Sequence, residues 1–434
     1  MSFLDFPEID KGKIPDDVLF ILKRLEEAGF LSFLVGGCVR DLLHHKTGKD
    51  WDIVTYARPE QVQKVFHDYK TLLVGRSFQT VTLVINSQVY HISTIRKEKR
   101  QKPVVYHKDN YSLLISDLLC RDFTINALAW NPDTGVLDPA NGLRDLQRRV
   151  IRSLEPDARF QEDPLRMLRA IRIACELSFT IDIAIKMSIM KHAFLTHRVS
   201  PERIREEISS ILNTTDAQRG IIMIRQYGLE QYIFSIDKVK KELLFSKGMK
   251  HPSFSGFNEL REDLPDQLAL WGRLYFGSCR QAQIFFLPLI RSLRFNRKII
   301  KKIQILLSRE WKEMDFNSGM NIRLLMAKLG KENIESLFHL KKTLLLLEQN
   351  TDKIKNLLRE EERLIKEALQ KNPPVSLKDL AIKGEDLIRL GVPEGERIGE
   401  ILRLLLNEIL LSPENNNRDY LLSIVREIMA DSTE

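Results

Sequence analysis

The sequence predicts an α+β head, a mixed sheet with helices, followed by an all-α extension. Three observations lead there. Nearly all strand-like segments lie before residue 150. From residue 157 onward, apolar residues recur at helical spacing almost without interruption. At 434 residues, the chain also exceeds what one ordinary core can fill.

In the head, Phe33-Leu34-Val35, Trp51–Thr55, Thr80–Ile85 and Val89–Ser93 are short, β-branched or aromatic, and bounded by Gly, Asn or charged residues. Helical patterns at Asp16–Ala28 and Pro59–Tyr69 fall between them, which gives helices packed on a mixed sheet. Downstream, Asp163–Leu177, Pro201–Leu212, Lys298–Ser308 and Asp352–Gln370 carry apolar stripes interleaved with Lys, Arg and Glu. Loop signals stand at His251–Gly256, Asn317-Ser318-Gly319, Asn372-Pro373-Pro374 and Ser412-Pro413-Glu414.

Composition narrows the function classes. The 67 Lys and Arg against 59 Asp and Glu give a net charge of +8, which favours a polyanionic partner. A basic protein with no nucleic-acid role would carry the same excess. Cys38, Cys120, Cys175 and Cys279 form no close pair and have no His at zinc-finger spacing, so neither a disulfide framework nor a structural zinc site is expected. The N-terminus lacks a basic start with an apolar run, and the longest apolar stretch, near Ile284–Leu293, is too short to span a bilayer. A cytoplasmic protein without membrane association is expected.

The first chemistry-bearing segment is Leu34-Val35-Gly36-Gly37-Cys38-Val39-Arg40-Asp41. A strand running through Gly36 and Gly37 into a helix lets backbone approach phosphate, and Arg40 offers a fork for a triphosphate oxygen. Alone, such a turn is more often structural. The second is Lys49-Asp50-Trp51-Asp52-Ile53-Val54-Thr55. Strand alternation puts Asp50 and Asp52 on one face, where two carboxylates can clamp two Mg2+ ions. An isolated Asp-x-Asp is more often a pair of exposed aspartates; its place shortly after the Gly-Gly turn reverses that preference.

Together these segments resemble the nucleotidyltransferase head of class II tRNA nucleotidyltransferases, the CCA-adding enzymes, and of the bacterial poly(A) polymerases. Cys120-Arg121-Asp122-Phe123-Thr124-Ile125-Asn126-Ala127 is similar to the family's R-R-D-F-T-x-N-A motif. The resemblance gives Arg121 and Asp122 a ribose-sensing role and Asn126 a place near phosphate or metal. Glu162-Asp163-Pro164-Leu165-Arg166-Met167-Leu168-Arg169-Ala170-Ile171-Arg172 matches the family's E-D-x-x-R motif. Asp163 and Arg166, at i, i+3 on one helix, then read the edge of a base in place of a template, with Arg169 and Arg172 beside them. The same stretch also suits a capped helix with a solvated basic face. Val199–Ile208 resembles the helix that buttresses the family's nucleotide pocket, and reads equally as an ordinary N-capped helix.

The resemblance implies a catalytic head at 1–150, a neck with the base pocket at 151–215, a helical body at 216–310 and a tRNA-binding tail at 311–434. It implies tRNA as partner, CTP and ATP as substrates and Mg2+ as cofactor. The segments Leu377–Leu387 and Gly391–Gly399 resemble the tail of CCA-adding enzymes, and Gly75–Val81 is closer to their version than to that of poly(A) polymerases. Three departures stand out. Cys120 replaces an arginine, His91 stands where the wider superfamily often keeps a third carboxylate, and Gln79 replaces a glycine. The loop Arg96–Pro103 is short and lacks Asp-Gly, as in enzymes that add only two cytidines. Full C-C-A addition and C-C addition therefore both stay open, with a poly(A) polymerase and an RNA-binding chaperone with an inactive head as more distant readings.

Overall fold

Seven strands build one mixed sheet in the head, as the interleaved pattern predicts. The computed structural model describes residues 9–46, 48, 50–74, 80–95, 111–234, 263–348 and 350–431. In chain order the strands are β1 (Ser32–Val35), β2 (Asp52–Thr55), β3 (Lys70–Val74), β4 (Thr80–Ile85), β5 (Gln88–Thr94), β6 (Ala129–Asn131) and β7 (Gly135–Leu137). They lie side by side as β3-β4-β5-β2-β1-β6-β7. Only β2 and β5 run parallel; every other neighbouring pair is antiparallel. Asn86 and Ser87, both at positive φ, close the β4–β5 hairpin in the backbone conformation that suits the strand twist.

Register decides where the chemistry gathers. Leu34 pairs with Ile53, and Val35 pairs with Ala129. The end of β1, the start of β2 and the approach to β6 therefore meet at one edge of the sheet. Behind that edge, helices α1 (Asp16–Glu27), α2 (Gly37–Leu43), α3 (Pro59–Val65) and α4 (Ser112–Leu119) pack on the strands, and α5 (Gly142–Gln147) packs on the turn Thr124–Asn126. Leu113, Leu114 and Leu118 of α4 pack on Phe33, Val35, Val54 and Ala129. Each such buried side chain contributes about 1.5–3 kcal/mol, and together they fix the chain that follows α4.

Helices α6 (Pro156–Glu162), α7 (Leu165–Leu177), α8 (Ile183–His192), α9 (Pro201–Leu212), α10 (Ala217–Gln226) and α11 (Glu230–Ile233) follow. Helix α7 packs on α9 and α10, where a Cβ on Gly220 would come within 2.4 Å of Ile211, so the close approach needs glycine. A parallel pair, β8 (Val150–Ile151) with β9 (Thr180–Ile181), ties the end of α7 to the head.

Two expectations need correction. The helix expected at Asp163–Leu177 begins at Leu165, and Asp163 is extended at φ −142°, ψ 99°. The following Pro164 disfavours helical backbone at Asp163 and so separates α6 from α7. Likewise β2 begins at Asp52, with Asp50 in the bend before it, so strand alternation does not set the relation of the two aspartates.

The chain divides into two compact units, Met1–Ser235 and Ile236–Glu434. The second is helical among its described residues: α12 (Leu264–Phe276), α13 (Arg297–Leu306), α14 (Gly319–Leu329), α15 (Ile334–Glu348), α16 (Asp352–Gln370), α17 (Glu396–Leu411) and α18 (Arg418–Asp431), with shorter turns between. Trp271, Trp311, Phe286, Phe316 and Phe338 are fully buried. Near the C-terminus Leu380, Ile382, Leu387, Val392, Ile401, Leu405 and Leu421 form a separate cluster, entered through a turn with Gly391 and Gly395 at positive φ. Among the described residues, no helix is long and apolar enough to cross a membrane.

Candidate active site

The edge where β1, β2 and β6 converge opens into a cleft of about 620 Å³, within the usual range for small-molecule sites. Asp52, Thr94, Ser116, Asp117 and Arg121 line it from the head. Arg159, Glu162, Arg166 and Arg169 line it from α6 and α7. One side is thus carboxylate-bearing and the other rich in guanidinium groups.

Gly36 makes the close approach possible. It sits at φ 80°, ψ −135°, and a Cβ there would lie 3.0 Å from Arg121 Nη1 and 3.9 Å from Asp52 Oδ2. An L side chain would be strained in backbone and crowd both groups. Asp52 is the first residue of β2, and its carboxylate reaches solvent in the cleft. The surrounding protein raises its pKa above the ordinary carboxylate value by desolvation; Arg121 pulls the other way and the charge of Asp50 adds to the rise. Parallel pairing sets His91 opposite Asp52, where its Nδ1 is 3.3 Å from Thr82 Oγ1.

A buried chain of polar contacts runs behind the cleft. Arg40 Nε donates to Asp41 Oδ1 at 2.9 Å and Arg40 Nη1 to Asn126 Oδ1 at 2.8 Å. Asn126 Nδ2 donates to Asp122 Oδ1 at 3.1 Å, and Asp122 Oδ2 meets Arg169 Nε at 3.0 Å. Below it, Thr124 Oγ1 donates to Asp145 Oδ2 at 2.6 Å, and Arg152 Nε to the same oxygen at 2.8 Å. A Cβ on Gly142 would lie 2.1 Å from the Thr124 carbonyl oxygen, so this support also requires glycine. Arg40 and Asn126, expected at phosphate, are buried in this chain and do not line the cleft; Asp122 and Arg169 do.

On the helical side, Arg166 Nη1 donates to Glu162 Oε2 at 2.6 Å and to the Arg159 carbonyl at 3.3 Å. Burial pushes the Glu162 carboxyl up, but Arg166 and Arg159 outweigh it and hold its pKa below the usual value. Asp163 stands outside the cleft lining. Its Oδ1 accepts from the Leu165 amide at 3.2 Å, and Arg203 of α9 forks onto its two oxygens at 2.7 and 3.4 Å. Arg172 is also away from the cleft, donating to Glu207 at 2.7 Å and Glu176 at 3.1 Å.

One donor of a cleft-lining residue is left without an acceptor. Among the described residues Arg121 Nε is buried and unpaired, while Nη2 lies a long 3.4 Å from Asp117 Oδ2. Leaving a buried donor unsatisfied costs about 1–3 kcal/mol. For a metal, no group of three His, Cys, Asp or Glu gathers among the described residues. The candidate donors are Asp52, in the cleft lining, and Asp50, in the bend before it and outside that lining. That fits a hard divalent cation of the kind that takes one or two carboxylates and fills its remaining positions with water and substrate phosphate.

Residues 32–152 match the poly A polymerase head domain, 178–237 the RNA- and SrmB-binding site of polymerase A, and 287–425 tRNA nucleotidyltransferase domain 2. The CCA-adding enzyme of Lactobacillus delbrueckii subsp. bulgaricus is 31% identical over 414 residues, which is 92% of this chain and 94% of that protein. The chain belongs to the CCA-adding enzyme family. It is therefore a nucleotidyltransferase, as the resemblance implied. The family member from Geobacillus sp. is 28% identical over 422 residues, 92% of this chain and 94% of that one. The crystal structure of the Bacillus stearothermophilus CCA-adding enzyme in complex with CTP superposes with a TM-score of 0.74 at 24% identity, over 96% of this chain and 98% of that one, and so shares the fold. Family membership also implies dependence on a divalent metal.

Several cleft residues were not anticipated. Asp117 stands four residues before Arg121, a helical spacing legible in the sequence. Arg159 and Ser116 had no such signal, and Arg203 enters through a long-range contact that no local pattern encodes. The segments Gly75–Gln79 and Arg96–Pro103 lie outside the described residues.

Proposed function

We propose that this chain extends the 3′ end of tRNA with C, C and A, taking CTP and ATP and releasing pyrophosphate, without a template. One observation carries the reading. A carboxylate floor at Asp52 and a guanidinium wall at Arg166 and Arg169 share one cleft, coupled through the Asp122–Arg169 pair. The 3′-hydroxyl gives up its proton to solvent as its oxygen attacks the α-phosphorus of the nucleotide, the bond to the β-phosphate oxygen breaks, and pyrophosphate leaves. Asp50 and Asp52 would hold two Mg2+ ions, whose charge would stabilise the attacking oxygen and the leaving pyrophosphate. Arg121 and Arg159 meet phosphate oxygens as charge-assisted donors. Asp122 accepts from a ribose hydroxyl with its Arg169-facing oxygen, the contact that separates ribose from deoxyribose.

Asp163 and Arg166 select the base. Arg166 offers a donor fork beside the cleft, and Asp163 reaches the base edge once its Arg203 contact rearranges. Arg40, Asn126 and the Gly36-Gly37 turn hold this floor in place, and Arg172 steadies α7 against α9. Addition of C-C alone is the second reading, favoured by the short Arg96–Pro103 loop without Asp-Gly. The test supplies tRNA ending in C-C with ATP. A single adenylation supports C-C-A addition. No adenylation, with normal C-C addition to tRNA lacking its end, assigns the chain to C-C addition.

A further inference from the structure

The positive charge of this protein is not spread evenly. Between Gln267 and Arg309 the sequence holds nine Lys and Arg and neither Asp nor Glu, whereas the whole chain nets only +8. Folding of the second unit sorts those nine cations. Arg273 is paired with Glu310 at 3.1 Å, and Lys302 with Asp263 and Asp266. Three others share a groove. Arg291, of the helical segment Leu287–Ser292, joins Arg297 and Lys301 of α13, together with Phe295, Ile300 and Gln304, around a cleft of about 340 Å³.

The groove holds its cations without neutralising them. Among the described residues no carboxylate lines it. Arg297 and Lys301 stand i, i+4 on α13, so their like charges fall on one side of the helix and repel. Arg291 Nη2 reaches Gln304 Oε1 at 3.4 Å, which draws the neighbouring segment onto the same side. Two planar guanidinium forks and an ammonium around a concave surface make a donor set for phosphate, and the uncompensated repulsion is relieved when an anion arrives.

We propose that this groove is a phosphate site that seats the phosphodiester backbone of the RNA substrate, in a different unit from the cleft that carries the transfer chemistry. This rests on the reading that the substrate is a structured RNA. The groove contributes affinity through counterion release and takes no part in base selection or bond making.

The test uses the full chain with Arg291→Gln, Arg297→Gln and Lys301→Gln combined, all at exposed positions. Binding to a tRNA transcript lacking its last three nucleotides is measured without nucleotide across a salt series. The slope of log affinity against log salt should become shallower by about 2–3, roughly one for each phosphate no longer neutralised. The melting profile and the kcat for CTP at saturating RNA should stay unchanged. A control variant, Arg280→Gln, Lys298→Gln and Arg309→Gln, removes equal charge outside the groove and should change the slope by less than about 1. An unchanged slope in the groove variant, or an equal change in the control, would overturn the proposal. Titration with inorganic pyrophosphate alone provides the other arm. A binding heat that disappears in the groove variant while the RNA slope is unaltered would assign the groove to a free anion and also overturn it. Since binding is read without nucleotide, a chain that held RNA here but added nothing would refute the proposed activity and leave the groove standing.

Discussion

Each unit buries a charged network, and the two end differently. In the second unit Lys341 of α15 and Glu361 of α16 meet at 2.7 Å, both nearly inaccessible. Lys341 Nζ also donates to the Met314 carbonyl at 2.8 Å and lies 5.3 Å from the centre of the Phe316 ring. There Lys341 is met by charge, carbonyl and ring, while among the described residues Glu361 Oε2 is left without a partner, sealed between two helices. In the first unit the chain from Asp41 through Arg40, Asn126 and Asp122 ends on Arg169, which is half exposed in the cleft. Next to it Arg121 Nε has no acceptor among the described residues, and Asp52 is held above the ordinary carboxylate pKa. Buried charge alone does not mark a site. Charge left incomplete beside a cleft does, since there an arriving ligand can meet it.

The sharpest way to break the comparison is at Asp52. Asp52→Ala and Asp50→Ala should each lower nucleotide transfer by at least about 10³-fold, the several kcal/mol a metal site supplies, with circular dichroism unaltered and no loss of melting temperature. Transfer rates within about tenfold of the parent would remove both aspartates from the chemistry.

The second unit should respond in the opposite sense. Lys341→Met strands Glu361 in the core and should destabilise this unit by about 3–5 kcal/mol in denaturant titration, while the folded fraction keeps its nucleotide selectivity. Replacing Lys341 and Glu361 together with apolar residues should restore most of that stability. If the single substitution were neutral, the contrast between a network enclosed in the core and one that reaches a cleft would fail.

Arg166→Ala should act on choice more than on speed. Removing the guanidinium beside the cleft should reduce discrimination of CTP over UTP by about 10–200-fold in kcat/KM. Uniform slowing with all four nucleotides would make Arg166 a phosphate contact.

The smallest effect concerns acid. Folding raises the Asp52 pKa, so the neutral form favours the folded state: that contribution is fully present below the unfolded value of 3.8 and is lost as pH rises through the folded value. Asp52→Asn, measured without divalent metal, should therefore melt slightly higher than the parent at neutral pH. The difference should shrink as pH falls through the folded value and be gone below the unfolded value of 3.8. A variant that melts lower at neutral pH would mean that Arg121 stabilises Asp52 more than burial opposes it.

Much of this site was legible before folding. Gly36, Asp52, Arg121, Asp122, Arg166 and Arg169 lie in motifs whose order along the chain survives as proximity, because β1, β2 and β6 pair at one edge. What the motifs could not convey is which polar groups are already taken. Arg40 reads as a phosphate fork, but Asn126 lies 86 residues away and no local pattern announces their bond. Asp163 reads as helical until the conformational restriction imposed by Pro164 is considered, and its Arg203 partner is 40 residues on. Strands β6 and β7, three residues each, are too short for periodicity to register, whereas the long amphipathic helices after residue 157 were plain.

The central claim, nucleotidyl transfer to the tRNA 3′ end chosen by protein side chains, is tested most directly by sequencing the products formed from tRNA lacking its last three nucleotides with CTP, ATP and Mg2+ all present. The account predicts that products end in C-C-A with nothing added beyond. Long adenosine tails, or tRNA returned unextended, would contradict it.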